Sequence, residues 1–266
     1  MNNDKKAFRL FLIIVFAVSV VVETVWIIFG DADTGIIFSA LLMYIPLIGA
    51  VIAGRKYFKK QGSLGIARFK PFYIFLALIP LIYLGFSYGL YWLMVKSSFN
   101  SSLSFNLELI VNLIISFLII IVLAIGEEVG WRGFMYPIVQ RIMGWKKAII
   151  VTGIIWALWH LPLIISGIYL PGTSMIHGVS FFIIEIIALT VILSWIRIKS
   201  NSVWPAALFH GIHNFLDQAI FQELTNNEKS SYFVGETGII TIVITILIAI
   251  LILAFGRKIF EKGIVK

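Results

Sequence analysis

The chain has 266 residues, of which 60% are hydrophobic and 13% are charged, and it contains no cysteine. A soluble domain carries about 25% charged residues. The composition therefore excludes an ordinary soluble protein, a disordered chain and a disulfide-bonded secreted domain. The mean hydropathy of +1.01 indicates instead a protein that crosses a membrane several times. The absence of cysteine also excludes thiolate catalysis and cysteine-based metal sites.

Eight stretches of the chain approach the ~20 apolar residues that a membrane-spanning helix needs. They are residues 8–29, 36–54, 72–95, 104–125, 147–166, 176–198, 203–222 and 237–256. The apolar run of the first stretch is too long for a signal peptide, and no cleavage pattern follows it, so we expect a membrane anchor. The sequence predicts an all-α, polytopic membrane helix bundle of about eight transmembrane helices, which forms a single integral-membrane domain over residues 1–266.

The lysine and arginine residues predict the orientation of the chain in the membrane. With eight spans both termini share one side, and 19 of the 21 basic residues then fall on that side, all except Lys96 and Lys229. The positive-inside rule therefore predicts a multi-pass protein of the cell membrane with both termini in the cytoplasm. This asymmetry accounts for the net charge of +8. We accordingly expect the lipid bilayer, and no nucleic acid, as a partner.

The first polar segment follows the fourth apolar stretch and contains Glu127, Glu128 and Arg132. Ionisable side chains are costly in a membrane and are therefore candidates for function. If the helix continues, Glu128 and Arg132 are four residues apart and can pair on one face. Arg132 would neutralise Glu127 less directly, because that side chain projects about 100° away from Glu128. Such a carboxylate suits a general acid or base, although the segment alone fits a charged helix cap equally well.

Two further spans carry polar side chains at helical spacing. Trp156 and His160 lie four residues apart in the fifth span, and His210 and Asn214 do so in the seventh, with His213 beside them. Taken singly, a histidine in a span is more often a hydrogen-bonded packing residue, and a His–Asn pair can simply join helices. Three costly clusters on three spans are better explained by one shared site.

The expected depths of these residues agree only roughly. Glu127 lies near the cytoplasmic end of the predicted fourth span, whereas a rise of 1.5 Å per residue places His210 ~10 Å and His160 ~20 Å into the membrane. We expect the site in the cytoplasmic half of the bilayer, and the mismatch closes if the fifth span starts late, near residue 150, if a helix tilts or if Glu127 lies deeper. Besides the three clusters, we single out Glu23 and Glu185 as carboxylates within expected spans; their roles, like that of His213, stay open.

The three motifs together resemble the CPBP family of intramembrane proteases, which includes the type II CAAX prenyl endopeptidases and the bacterial "Abi" proteins. The family pattern Glu-Glu-x-x-x-Arg, Phe-x-x-x-His and His-x-x-x-Asn corresponds to Glu127-Glu128…Arg132, Trp156…His160 and His210…Asn214. The resemblance covers residues 120–216, which would form the catalytic core. Trp156 replaces the phenylalanine of the pattern, and because the ring is retained we expect little consequence.

The resemblance implies hydrolysis of a peptide bond in a membrane-associated peptide or protein, and we expect no cofactor, with zinc as the alternative. Glu127 and His160 would activate water, His210 and Asn214 would stabilise the oxyanion, and Glu128 would pair with Arg132. The residue types allow this chemistry, since the chain has no cysteine and no Gly-x-Ser-x-Gly nucleophile motif. One alternative is a zinc protease with His160, His210 and Glu127 as ligands; another is a non-enzymatic immunity or peptide-binding protein. A transporter is a third alternative, but the sequence shows no obvious internal repeat and no pair of broken helices that would support it.

Overall fold

The computed structural model describes residues 2–31, 33–58, 64–103 and 106–263. Lys59, Lys60 and Lys266, which entered the orientation argument, lie outside these ranges, as do residues 104 and 105 at the start of the fourth expected span. Within the described ranges the structure is helical and contains no β-strand, so the predicted all-α class is confirmed. One isolated bridge joins Phe99 to Thr225.

Ten α-helices follow one another in the described parts of the chain. They are α1 (Asn3–Phe29), α2 (Gly35–Tyr57), α3 (Ile79–Met94), α4 (Leu107–Glu128), α5 (Tyr136–Met143), α6 (Trp145–Ile165), α7 (Met175–Ser200), α8 (Trp204–Phe215), α9 (Ile239–Phe255) and α10 (Arg257–Lys262). A 3₁₀ helix, Pro71–Leu78, leads directly into α3, and π-helical turns at Val129–Met135 and Leu216–Phe221 directly follow α4 and α8. Short 3₁₀ turns occupy Lys96–Ser98 and Ser230–Tyr232.

Six helical segments in the described ranges are long and apolar enough to cross a membrane. They are Asn3–Phe29, Gly35–Tyr57, Pro71–Met94, Leu107–Met143, Trp145–Ile165 and Met175–Ser200, and the shorter apolar helix α9 follows them. Large apolar side chains cover the outside of the bundle; Leu93, for example, is 76% exposed. A water-facing surface rarely carries so much apolar area, whereas lipid tails accept it. The protein is therefore a multi-pass membrane protein.

Helix α7 lies at the centre of the bundle. A larger share of α7 is buried than of any other long apolar helix in the described ranges. It packs against α6, α8 and α9, while α1 pairs with α2 and α4 with α8. The α4–α8 approach requires a glycine, because a Cβ atom at Gly211 would lie 3.0 Å from the Cα atom of Ile121. Small residues allow helices in membranes to pack this closely.

The fourth span is longer than the sequence predicted. Helix α4 continues through the π turn into α5 as one segment of 37 residues, Leu107–Met143, so the predicted end near residue 125 is wrong. The polar residues there do not end the helix because they point into the bundle; Arg132 is completely buried. The chain turns only at Gly144, whose positive φ of 79° suits glycine.

This extension places the motif residues at similar depth. Glu127 lies 17 residues before Gly144 and His160 lies 16 residues after it, in two adjoining helical segments. At 1.5 Å per residue both side chains are therefore ~25 Å from the turn. The expected position of Glu127 near the end of its span is wrong, and the expected difference in depth between Glu127 and His160 closes.

Candidate active site

A cavity of about 270 Å³ lies inside the bundle and is lined by α1, α2, α4, α6, α7 and α8. Its walls include Glu127 from α4, His160 from α6, and His210 and Asn214 from α8. The structure thus brings all four predicted catalytic side chains to one cavity, although up to 87 residues separate them along the chain. Most of the remaining wall is apolar, which is typical of ligand-binding pockets.

The carboxylate of Glu127 is held by two indole groups. Its Oε2 atom accepts hydrogen bonds from Trp131 Nε1 at 3.0 Å and from Trp156 Nε1 at 2.7 Å. Both donors bind the same oxygen, which leaves Oε1 available to a ligand or water. The expectation that tryptophan in place of phenylalanine at position 156 matters little is wrong for this contact, because a phenyl ring has no N–H to donate.

Glu128 forms the predicted ion pair with Arg132, four residues further on, and both side chains are completely buried. Arg132 Nη1 donates to Glu128 Oε1 at 2.8 Å, and the same oxygen lies 3.0 Å from His210 Nδ1. The guanidinium also stacks on Trp156, with Cζ 3.9 Å from the ring centroid, and Nη2 donates to Thr190 Oγ1 at 3.3 Å. Glu128 therefore faces two nitrogen groups, and its contact with His210 joins α4 to α8.

His160 is oriented by its own helix and by aromatic neighbours. Its Nδ1 atom lies 2.9 Å from the carbonyl oxygen of Trp156. A carbonyl oxygen only accepts, so Nδ1 carries the proton and Nε2 is left with a lone pair. The ring is stacked on Tyr169, with centroids 5.5 Å apart, and packs edge-on against Trp159 and Phe182. This arrangement suits a base with a fixed ring orientation.

Asn214 of the third motif and its neighbour His213, which lies outside the pattern, differ in their surroundings. Asn214 is half-buried and lines the cavity one helical turn beyond His210. His213 is buried, and its Nδ1 atom contacts the hydroxyl of Tyr83 on α3. Its Nε2 atom has no partner among the described residues. Both residues line the cavity; Asn214 is placed to contact a molecule there, whereas the Nδ1 atom of His213 is tied to α3.

The cavity also contains polar residues that the sequence analysis missed. Tyr169, in the loop between α6 and α7, donates to Glu236 Oε2 at 2.6 Å, and Gln218 Nε2 donates to Glu236 Oε1 at 3.1 Å. Burial raises the pKa of the Tyr169 phenol well above its usual range, so it remains a donor. We call these three residues the latch, because they connect the loop beside His160 to the helix that carries Asn214.

A sequence signal existed for part of this group. Gln218 continues the four-residue spacing of His210 and Asn214, and Asp217 lies within the expected seventh span, where a carboxylate is costly. Asp217 is buried and accepts from the hydroxyl of Tyr88 at 2.8 Å. Glu236 lies just outside the expected eighth span and gave no such signal.

The two other carboxylates singled out from the sequence occupy different places. Glu23 on α1 is 3% exposed and lines the cavity. Glu185 on α7 is completely buried but is not part of the cavity wall. Only Glu23 therefore lies where it can contact a molecule bound beside the motif residues.

The zinc alternative requires three or more ligands around one point. In the parts of the chain that the structure describes, no group of three His, Asp or Glu side chains could hold a metal ion. The residues His160, His210 and Glu127 thus do not fit a zinc site in this arrangement.

Fold and site together define a polytopic membrane protein in which carboxylate, histidine and asparagine side chains meet in a buried cavity. Residues 109–216 match a family model described as type II CAAX prenyl endopeptidase Rce1-like. The family model thus matches the segment of the chain that carries the three motifs, as the resemblance predicted.

A curated relative agrees with this assignment. The chain is 30% identical over 167 residues to CAAX prenyl protease 2 of the archaeon Methanococcus maripaludis. The aligned region is 61% of this chain and 56% of the relative. The similarity thus extends well beyond the three short motifs but spans little more than half of the relative's length.

Proposed function

We propose that the protein is an intramembrane endopeptidase that hydrolyses a peptide bond of a membrane-associated peptide or protein. The observation that carries this proposal is that Glu127, His160, His210 and Asn214, from three separate motifs, line one cavity. The name of the archaeal relative, CAAX prenyl protease 2, supports the same class of reaction.

In the proposed reaction Glu127 and His160 activate a water molecule. The free Oε1 atom of Glu127 and the Nε2 lone pair of His160 are the two acceptors that can take its proton. The resulting hydroxide attacks the carbonyl carbon of the peptide bond. The same groups then return a proton to the leaving amine as the carbon–nitrogen bond breaks. Two positioned acceptors are an advantage here, because one can hold the water while the other receives the proton.

His210 and Asn214 would stabilise the oxyanion of the tetrahedral intermediate. Asn214 can donate from its side-chain amide. His210 can donate from Nε2 only if both ring nitrogens carry protons, because Nδ1 already faces the Glu128 carboxylate. The negative charge of Glu128 favours that doubly protonated ring. We therefore assign Glu128 and Arg132 a positioning role, in which Glu128 holds His210 and Arg132 holds Glu128.

Two alternatives lead to different results in simple experiments. A zinc-dependent enzyme would lose activity on exhaustive chelation, whereas we expect the purified protein to keep its activity and to need no added cofactor. A non-enzymatic immunity or peptide-binding protein would keep its cellular function when Glu127 is replaced by alanine. The convergence of four chemically matched side chains favours the enzyme over both alternatives.

We further propose that the chain crosses the cell membrane eight times with both termini in the cytoplasm. Helix α9 and the continuous helical segment Trp204–Phe221 would supply the two crossings beyond the six long apolar segments. The distribution of basic residues supports this orientation. We treat residues 1–266 as one integral-membrane domain with its catalytic core in residues 120–216.

The proposed activity is tested by comparing the membrane proteins of cells that carry the wild-type protein with those of cells that carry Glu127→Ala. Mass spectrometry of new N-termini should find products that occur only with the wild type. The Glu185→Gln variant is a matched control, because it changes a buried carboxylate that does not line the cavity. Identical sets of termini in all three strains would contradict the proposal.

A further inference from the structure

Glu23 differs from the other carboxylates of the cavity because it has no hydrogen-bond partner among the described residues. Its side chain is 3% exposed and lines the cavity, yet no described residue donates a hydrogen bond to it. It lies one helical turn beyond Ser19, whose hydroxyl accepts the indole N–H of Trp159 at 2.6 Å. That contact fixes α1 beside the residue that precedes His160. Glu23 is thus held near the proposed catalytic groups with its acceptor atoms unused.

The charges around the cavity are one-sided. Glu23, Glu127 and Glu236 line it, whereas no lysine or arginine is among the described lining residues. Glu127 and Glu236 each accept two hydrogen bonds from side chains of the protein. A carboxylate that is buried without such partners is costly. A bound cation would supply the missing partner and would be attracted by the other two carboxylates.

The surroundings of Glu23 suit a long basic side chain. Trp26, Leu42 and Met43 belong to the same cavity wall, so apolar surface is available beside the carboxylate. Lysine and arginine place their methylene groups along such surface while their charged end pairs with an acid. A free C-terminal carboxylate would instead be repelled at this position. These properties select the class of peptide that the cavity accepts.

We propose that Glu23 is a specificity-determining residue that binds a lysine or arginine side chain of the substrate, at a fixed position relative to the peptide bond that is cleaved. The inference rests on the proposed endopeptidase activity and adds a substrate class to it. The substrate segment in the cavity therefore carries a basic side chain, and it does not place a free C-terminal carboxylate against Glu23.

The test uses the full-length protein in lipid nanodiscs and a peptide library from a digested proteome. The library is made with a protease that cuts after acidic residues, so that lysine and arginine stay inside the peptides. Wild type, Glu23→Gln, Glu185→Gln and Glu127→Ala are incubated with it, and new N-termini are identified by mass spectrometry. Products that are absent with Glu127→Ala report the activity, and Glu185→Gln controls for neutralising a buried carboxylate elsewhere.

We expect the cleavage products of wild type and of Glu185→Gln to be enriched in lysine or arginine at one position relative to the cleaved bond. In Glu23→Gln this enrichment should be about tenfold lower, which corresponds to the loss of one charge-assisted hydrogen bond. The enrichment is a ratio within the products of one variant, so a general loss of folded protein does not imitate the effect. If Glu23→Gln yields no products, the wild-type protein is tested on two peptides that differ only at that position, one with lysine and one with norleucine. We then expect faster cleavage of the lysine peptide.

Four results would overturn the inference, and those that spare the proposed function can be told apart from the one that does not. Glu127-dependent cleavage without a basic preference would remove the role of Glu23 but leave the proposed function intact. A preference that persists in Glu23→Gln, or equal cleavage of the lysine and norleucine peptides, would do the same. If no product depends on Glu127, the proposed function fails first and this inference fails with it.

Discussion

Two polar groups hold the cavity together, and they are built differently. In the first, which we call the motif cluster, Glu127, Glu128, Arg132 and His210 are buried and the carboxylates meet charged or ring N–H groups. In the latch of Tyr169, Gln218 and Glu236, the only acid is held by neutral donors from a phenol and an amide. The motif cluster lies on helices, whereas two of the three latch residues lie in loops.

This difference predicts different consequences of mutation. In the motif cluster the removal of one charge leaves another buried and uncompensated, which is expensive in a membrane interior. In the latch, the loss of one neutral donor leaves Glu236 with a second one. We therefore expect the motif cluster to control both stability and chemistry, and the latch to adjust the position of His160.

The largest expected effect on stability is that of Arg132→Met. Both members of the Glu128–Arg132 pair are 0% exposed, so the substitution strands a buried carboxylate and should lower the free energy of unfolding by about 3–5 kcal/mol. Arg141→Met is the matched control, because Arg141 pairs with Asp4 on a surface where its side chain is 41% exposed. That pair should contribute less than ~1 kcal/mol. Thermal and denaturant unfolding in detergent measure the loss of stability in both variants. Equal losses in Arg132→Met and Arg141→Met would contradict the expected difference between the buried and the exposed ion pair.

The next largest expected effect is a loss of turnover in Asn214→Ala. Asn214→Ala removes one proposed oxyanion donor and should reduce kcat by about 10²–10³-fold, with little change in KM or in unfolding. Asn112→Ala, an exposed asparagine on α4, should leave kcat unchanged. The kinetics are measured on any product whose formation requires Glu127. A loss of stability in Asn214→Ala that accounts for its lost turnover would instead indicate that Asn214 only joins helices.

The motif cluster could be predicted from the sequence because helical spacing determines most of it. Glu128 and Arg132 are four residues apart and pair as expected, and the cost of polar groups in lipid marked the three spans that meet at the cavity. The indole of Trp131 lies four residues after Glu127, at the same helical spacing. The contact from Trp156 could not be predicted, because Trp156 reaches Glu127 from another helix, and the direction of a ring between helices follows from packing.

The errors have physical causes as well. The sequence suggested that α4 ends where polar residues begin, yet these residues are buried and paired, so the helix continues through a π turn to Met143. Such turns occur often at functional sites. The latch was missed because Tyr169 and Glu236 lie in loops, where no helical period relates them and no membrane cost marks them. Their meeting depends on how α6, α8 and α9 pack.

The smallest effect should come from the latch. Tyr169→Phe removes the hydroxyl that donates to Glu236 at 2.6 Å but keeps the ring that stacks on His160. We expect kcat to fall about tenfold or less, the range of one hydrogen bond to a charged group. KM should stay unchanged, because the residue acts through the position of His160. A larger effect on KM than on kcat would mean that Tyr169 contacts the substrate instead.

A matched control separates the latch from general loop stability. Tyr232→Phe also removes a hydroxyl near these loops, one that accepts the backbone N–H of Ser174 at 2.8 Å, but Tyr232 does not line the cavity. It should not alter kcat. The double variant Tyr169→Phe with Gln218→Leu, which leaves Glu236 without either donor, should lose more activity than the two single variants combined, since residues of one hydrogen-bonded network couple. Simple additivity would show that each residue acts alone and that the two sides of the cavity are not connected through Glu236.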